Sequence, residues 1–133
     1  MKLALPLAFL LASGAAALAE DNANLKGAYE VWEDFEGGRV CRVELTDERT
    51  IGGNVIGGDV ACVRELDLDE EPAAWLIDNE GWFVLIDATR RILVRFEPSP
   101  DGVSFYADRR ADGLPSLNLT LPADEQNSFG SGD

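Results

Sequence analysis

The side chains best suited to chemistry in this 133-residue chain are its two cysteines, Cys41 and Cys62. The chain contains no histidine, so neither thiol has an imidazole partner to activate it as a nucleophile or to share a zinc site. Two cysteines in a chain with an export signal, described below, are typical of a disulfide. A loop of this size stabilises a domain by roughly 3 kcal/mol in the chain-entropy model. We therefore predict a structural Cys41–Cys62 disulfide.

The lack of histidine also argues against most enzyme classes. It leaves no Ser–His or Cys–His pair, no imidazole base and no His-based metal site. The densest group of acids, Asp67, Asp69, Glu70 and Glu71, offers carboxylates for calcium, but it lacks the EF-hand spacing with a mid-loop glycine. We interpret this group as a solvated loop. The prediction is a protein that is not an enzyme and has neither a cofactor nor a metal site of its own.

Three tryptophans are the remaining candidates for a binding role. Trp32, Trp75 and Trp82 could line a ligand cavity, although such residues more often pack in the core or at the rim of a barrel. A lipocalin-like carrier of a small apolar ligand is therefore the main alternative that the residue pattern leaves open.

Eight short runs of alternating polarity supply the elements that would position these residues. They are GAYEVWE, RVCRVEL, a glycine-bracketed piece at 53–56, AAWLID, WFVLID, ILVRFEP, VSFYAD and SLNLTL. Turn signals such as NEG and SPDG separate the runs, and only residues 61–71 accommodate a helical turn. Runs joined by short turns pair antiparallel. We predict an all-β fold: an eight-stranded antiparallel up-and-down β-barrel, calycin- or lipocalin-like, with one disulfide.

The alternation also predicts which side chains fill the barrel, because successive residues of a strand point to opposite faces. The candidates for the packed interior are Val31, Val43, Leu45, Leu85, Val94, Phe96, Phe105 and Leu119.

The first 19 residues are typical of a secretory signal peptide. Lys2 precedes an apolar run from Leu3 to about Leu11, and small residues follow as far as Ala19. The run is shorter than the roughly 20 residues of a bilayer span. We predict a periplasmic or secreted protein that is not membrane-spanning. Cleavage is expected after Ala19, with Ala15 and Ala17 as alternative positions.

The predicted organisation is a signal peptide at 1–19, an N-terminal trunk at 20–24, a barrel domain at 25–121 and a disordered tail at 122–133. The chain has a formal charge of −14, and Lys2 is the only charged residue of the signal peptide, so the mature chain has −15. An acidic surface repels a phosphate backbone, which argues against nucleic acid as a partner. It attracts basic partners.

The order of these motifs resembles the bacterial Inh-type family of metalloprotease inhibitors. The matching segments are LKGAY, CRVEL, GGNVIGGDVACVREL, AAW, GWFVLID and ILVRFEPSPDGVSFYA, within a resemblance that extends from Leu25 to Leu121. The resemblance implies a calycin-like barrel with the Cys41–Cys62 disulfide, located in the periplasm. It also implies a partner, a secreted zinc endopeptidase of the serralysin type. We expect the inhibitor to be a monomer.

The same resemblance implies a role for the trunk. In that family an extended trunk enters the protease cleft, and its terminal amine approaches the catalytic zinc, where it displaces the water that the protease activates. Family trunks are longer and begin with small uncharged residues. Here, cleavage after Ala19 leaves EDNAN, at most about 17 Å of extended chain, with Glu20, Asp21 and Asn22 as the candidate inhibitory residues. The alternative is a non-inhibitory barrel that binds a small apolar ligand or a cell-envelope partner.

Overall fold

In a computed structural model, residues 25–122 are described, and they form a closed barrel of eight antiparallel strands. The strands are β1 Gly27–Glu33, β2 Val40–Thr50, β3 Gly53–Gly58, β4 Ala74–Ile77, β5 Phe83–Ile86, β6 Ile92–Pro98, β7 Phe105–Ala107 and β8 Leu117–Thr120. Each strand pairs with the next, and β8 closes the barrel on β1 with Glu30 opposite Thr120. The predicted up-and-down barrel is confirmed.

Two short helices accompany the strands: α1 at Val60–Arg64 and a 3-10 helix at Arg110–Asp112. The helix α1 begins after Asp59, whose Oδ1 accepts a hydrogen bond from the Cys62 N–H at 3.2 Å. It is followed by Asp67, whose φ of +67° turns the chain away from a helical path. Only the first part of the segment 61–71 is therefore helical. Within residues 25–122, no helix is long and apolar enough to cross a lipid bilayer.

The interior is filled by the side chains that alternation placed there. All eight predicted interior residues are buried. An aromatic group centred on Phe83 occupies the middle of the barrel: Trp75 stacks on Phe83 at 5.7 Å between ring centroids, Phe96 meets it edge-on at 5.7 Å, and Phe105 lies at 5.6 Å. Offset-stacked and edge-to-face arrangements are the favourable ones for aromatic rings. Side chains therefore occupy the central space in which a larger barrel would hold a ligand.

A smaller apolar cluster lies on the outer face of β4 and β5, where Ala74, Val84 and Ile86 are buried. The turn between β2 and β3 packs close to it. A Cβ atom on Gly52 would lie 2.9 Å from both the Ile86 Cδ1 and the Arg90 Cγ, and this glycine has a φ of +85°. Glycine suits this position because it adopts a positive φ without strain and because it has no Cβ atom to collide with these side chains.

One end of the barrel is closed by α1 and by the connections 65–73 and 108–116; we call it the capped end. Val63 and Leu66 lie there with no exposed surface. The disulfide between Cys41 and Cys62, with a Cα–Cα distance of 5.6 Å, attaches α1 to β2. The predicted disulfide is thus confirmed.

A buried arginine joins the two connections of the capped end. The Arg109 guanidinium donates to the Leu66 carbonyl and to the Pro115 carbonyl, both at 2.7 Å. Its backbone N–H donates to the Ser116 hydroxyl at 3.0 Å. Desolvation by burial lowers the pKa of this guanidinium from its ordinary value. Arg109 therefore holds two connections together that are far apart in the sequence.

At the C-terminal limit of the described residues, Pro122 is fully buried. The packed domain therefore continues through this residue, which the sequence analysis placed at the start of the tail. Residues 123–133 lie outside the described residues.

Candidate functional site

The predicted trunk residues Glu20, Asp21 and Asn22 lie outside the described residues. The described chain begins at Leu25, which is 7% exposed and packs in the main core. The trunk is therefore attached to a fixed point of the barrel. We call the surrounding surface, made of Leu25 and the turns 78–82 and 99–104, the N-terminal mouth.

The N-terminal mouth contains an apolar depression of about 520 Å³. Its lining consists of apolar residues and glycines: Leu25, Ile77, Gly81, Pro98, Gly102, Val103 and Phe105. Phe105 is buried, whereas the side chain of Val103 is 49% exposed. No pattern in the sequence predicts this depression. Two of its walls come from the turns NEG and SPDG. The sequence predicts both turns as hairpins, but it does not predict that they lie next to Leu25.

The turn between β4 and β5 is built around Asp78. Its Oδ1 accepts hydrogen bonds from the backbone N–H groups of Glu80 at 2.9 Å and Trp82 at 3.0 Å. Gly81, with a φ of +83°, donates its N–H to the Asp78 carbonyl at 3.0 Å. An aspartate that binds the backbone two to four residues ahead is a common device for a tight turn. One wall of the depression is therefore held in place.

Arg95 on β6 ties this turn to the barrel wall. Its Nη2 lies 2.6 Å from Asp78 Oδ2 and 2.8 Å from Glu80 Oε1, and its guanidinium lies 4.4 Å from the centre of the Trp82 ring. Desolvation raises the pKa of Asp78, but the hydrogen bonds from Arg95 and the backbone outweigh it and leave the pKa below its ordinary value. Asp78 is therefore ionised at neutral pH and keeps these bonds.

The turn between β6 and β7 is built in the same way around Asp101. Its Oδ1 accepts from the backbone N–H groups of Val103 and Ser104, both at 3.0 Å, and its Oδ2 accepts from the Ser104 hydroxyl at 2.7 Å. The bond from the Ser104 side chain, together with the backbone bonds, lowers the pKa of Asp101. The backbone of Val103 is thus positioned while its side chain stays open to solvent.

The three tryptophans do not line a common cavity. Trp75 is 1% exposed and stacks inside the barrel. Trp82 packs against Arg95 on the outer surface, and Trp32, which alternates with the inward Val31, donates its Nε1–H to the Thr120 hydroxyl at 3.0 Å. Trp75 therefore belongs to the core, whereas Trp32 and Trp82 pack on the outside of the barrel wall. The structure therefore does not support the ligand cavity that the sequence left open.

The acidic group at 67–71 lies at the capped end, and its four carboxylate residues are exposed. Across the described part of the chain, no set of three or more His, Cys, Asp or Glu side chains is placed to hold a metal ion.

A second depression, of about 750 Å³, has Glu70, Glu71 and Asp87 in its lining. The Asp87 Oδ1 already accepts hydrogen bonds from the N–H groups of Thr89 and Arg91 and from the Thr89 hydroxyl. This carboxylate is thus committed to the turn between β5 and β6, and the depression has no unpaired acceptor at that position.

Comparison with known proteins adds an identification of the family and of the fold. The profile of the family described as Protease inhibitor Inh matches residues 20–117. Among solved structures, the chain is similar to one described as the crystal structure of a psychrophilic marine protease MP inhibitor, with a TM-score of 0.61 and 16% sequence identity. The match covers 77% of this chain and 99% of that one. No curated protein matches the chain in sequence.

Proposed function

We propose that this chain, which belongs to the protease inhibitor Inh family, inhibits a zinc metalloendopeptidase of the serralysin type by placing its N-terminal trunk in the protease cleft. Its membership of that family makes the chain a protease inhibitor and not an enzyme. The class of target protease, the periplasmic location and the role of the trunk are our proposals. The class of protease and the location rest on the resemblance and on the predicted signal peptide, and the observation that carries the role of the trunk is its attachment at a buried residue, Leu25.

We propose that the mature chain begins at Glu20, after the predicted cleavage position at Ala19. The family match starts at the same residue and includes the whole predicted trunk. Export with removal of residues 1–19 would create a free amine on Glu20. The trunk and the barrel would then form one inhibitory unit that becomes competent only after processing.

The inhibitory step is a ligand exchange at the zinc of the protease. A catalytic zinc keeps one position for the water that it activates as a nucleophile. An amine or a carboxylate of the trunk that takes this position removes the nucleophile without forming a covalent bond to the inhibitor. The terminal amine and the carboxylates of Glu20 and Asp21 are the candidate ligands, because nitrogen and oxygen atoms both bind zinc.

The length of the trunk restricts the geometry. Five extended residues span at most about 17 Å, so the barrel must dock close to the cleft for the terminus to reach the metal. A rigid barrel end suits this role, because a preorganised binding surface loses less conformational freedom on association. The paired turns held by Asp78 and Asp101 provide such an end.

The experiment that tests the proposal is a titration of a serralysin-type zinc protease with the exported protein, after intact mass has established its N-terminus. We expect stoichiometric inhibition, and no inhibition of a serine protease used as a control. A chain lacking residues 20–24, with its disulfide and circular dichroism spectrum unchanged, should lose inhibition. A folded, disulfide-bonded mature protein that leaves the zinc protease fully active would overturn the proposal.

The role of the terminal amine has its own test. Lys26 is the only lysine that remains after residues 1–19 are removed, and its ammonium group forms an exposed ion pair with Asp47. In a Lys26→Arg variant, the terminal amine is the only amine that acetylation with an amine-selective reagent can modify. If the amine binds zinc, acetylation abolishes inhibition, and inhibition by the unmodified variant strengthens as the pH rises through about 8, where the amine loses its proton. Full inhibition by the acetylated variant would assign the zinc-binding role to the carboxylates instead.

A further inference from the structure

We propose that the apolar depression of the N-terminal mouth receives an apolar side chain from the rim of the protease cleft. The barrel then contributes affinity and selectivity of its own, in addition to the trunk at the metal. This inference rests on the proposed function and adds a second contact site to it.

The chemistry of the depression defines its occupant. Its lining presents apolar side chains and glycine backbone, with Leu25 and Phe105 buried and Val103 half exposed. Removing apolar surface from water is favourable, so an aliphatic or aromatic side chain would gain by entering. A charged group would lose its hydration there without gaining a partner.

The chain's own trunk is a poor occupant. Its five residues, EDNAN, include two acids and two asparagines, so they would bring polar groups into an apolar site. The trunk is therefore not the occupant, and we assign the depression to a side chain of the partner.

The reach of the trunk places that partner at the depression. Leu25 is both the point of attachment of the trunk and part of the lining. With the terminus at Glu20, the metal lies within about 17 Å of this residue. A protease whose zinc is bound by the trunk is therefore close enough to cover the mouth of the barrel, and its cleft rim is the part that faces the depression.

The walls of the depression are held before binding. Asp101 binds the N–H groups of Val103 and Ser104 at 3.0 Å, and Arg95 binds Asp78 at 2.6 Å on the opposite turn. Binding therefore does not have to order the two turns, which keeps the entropic penalty small.

The test compares two exposed apolar residues at opposite ends of the barrel. Val103 is 49% exposed at the mouth, and Ile92, the first residue of β6, is 57% exposed at the other end. Val103→Gln and Ile92→Gln make the same chemical change without altering the charge. We expect Val103→Gln to raise the inhibition constant about tenfold or more, mainly through faster dissociation. Ile92→Gln should leave the inhibition constant within about twofold, and both variants should keep the melting temperature of the parent. A Val103→Leu variant, which keeps an apolar side chain, should inhibit more strongly than Val103→Gln.

The outcomes separate this inference from the proposed function. If the parent protein does not inhibit, the proposed function fails first. If the parent inhibits and Val103→Gln inhibits equally well, the depression is not a contact site and only the present inference is overturned. If Val103→Gln and Ile92→Gln weaken inhibition to the same extent, the effect is not specific to the depression, and the present inference is again the one that is overturned. A parent that dimerises in analytical ultracentrifugation, with the dimer abolished by Val103→Gln, would show that a second copy of the chain occupies the depression.

Discussion

The two ends of the barrel differ in how their apolar side chains are packed. The capped end is closed by a disulfide, by the fully buried Val63 and Leu66, and by Arg109, which joins two connections. The N-terminal mouth has turns that are equally well hydrogen-bonded, but it leaves an apolar depression and a half-exposed Val103. The capped end therefore buries the apolar side chains of its own helix and connections, whereas the mouth leaves an apolar depression between its turns. The difference indicates that stability and binding are separated along the barrel.

The largest effect on stability is expected from a substitution in the core of the capped end. Leu66→Ala removes a side chain with no exposed surface, and we expect a loss of about 2–5 kcal/mol in the free energy of unfolding. Urea denaturation measures this loss. The inhibition constant, measured where the variant is still folded, should not change. A large rise in the inhibition constant of the folded variant would show that the two ends are coupled.

Removing the disulfide tests the same end by a different route. A Cys41→Ala/Cys62→Ala variant loses the link between β2 and α1 across 21 residues of sequence. We expect the free energy of unfolding to fall by about 3 kcal/mol, because the unfolded chain gains freedom. Denaturation of the parent with and without a reductant should give a similar difference. An unchanged midpoint would mean that packing alone holds α1 in place.

At the mouth, Asp101→Asn should affect binding more than stability. The amide cannot reproduce the three hydrogen bonds that the carboxylate accepts, so the turn that carries Val103 loosens. An ordering penalty of about 1 kcal/mol on binding corresponds to roughly a fivefold rise in the inhibition constant. Parallel inhibition and melting experiments would measure both effects. A larger fall in melting temperature than that of the disulfide variant would contradict the separation of the two ends.

The same aspartate gives a pH dependence with a definite sign. Hydrogen bonds lower the pKa of Asp101 below its ordinary value of 3.8, so its contribution to stability is present above that value and is lost as the pH falls through the lowered pKa. The gap in melting temperature between the parent and Asp101→Asn should therefore be constant near neutral pH and should narrow below about pH 3.8. A gap that widens in acid would show that Asp101 is not stabilised in its ionised form.

The smallest effect is expected at a surface ion pair of the capped end. Arg110 lies 2.7 Å from Asp108, and its side chain is 79% exposed. Hydrogen bonds from the side chain and the backbone N–H of Arg110 lower the pKa of Asp108 to about 2. Exposed ion pairs nevertheless contribute little to folding. Arg110→Ala should lower the free energy of unfolding by no more than the experimental error of urea denaturation. A larger loss would indicate that the 3-10 helix is a necessary part of the cap.

Much of the barrel could be predicted from local patterns in the sequence. A strand alternates with a period of two residues, so the runs around Val43 and Phe96 provided candidate interior side chains, and these are buried. Hairpin turns such as NEG and SPDG join neighbouring strands, and neighbouring strands pair. The disulfide followed from two cysteines and an export signal. The signal peptide, the cleavage position and the inhibitory trunk stay predictions, since residues 1–24 lie outside the described part of the chain.

The candidate site depended on closure of the barrel, which no local pattern encodes. Leu25 and Val103 are distant in sequence, and they line the same depression because β8 pairs with β1 and joins the first strand to the last. The same closure places Trp75 inside and Trp32 and Trp82 on the wall, and it lets Arg109 reach the Leu66 carbonyl. Alternation specifies which face of a strand is buried, but the register between strands decides which side chains become neighbours. The sequence by itself therefore determined the strands, the inward faces and the disulfide, whereas the tertiary structure decided which end is capped and which end presents an apolar depression.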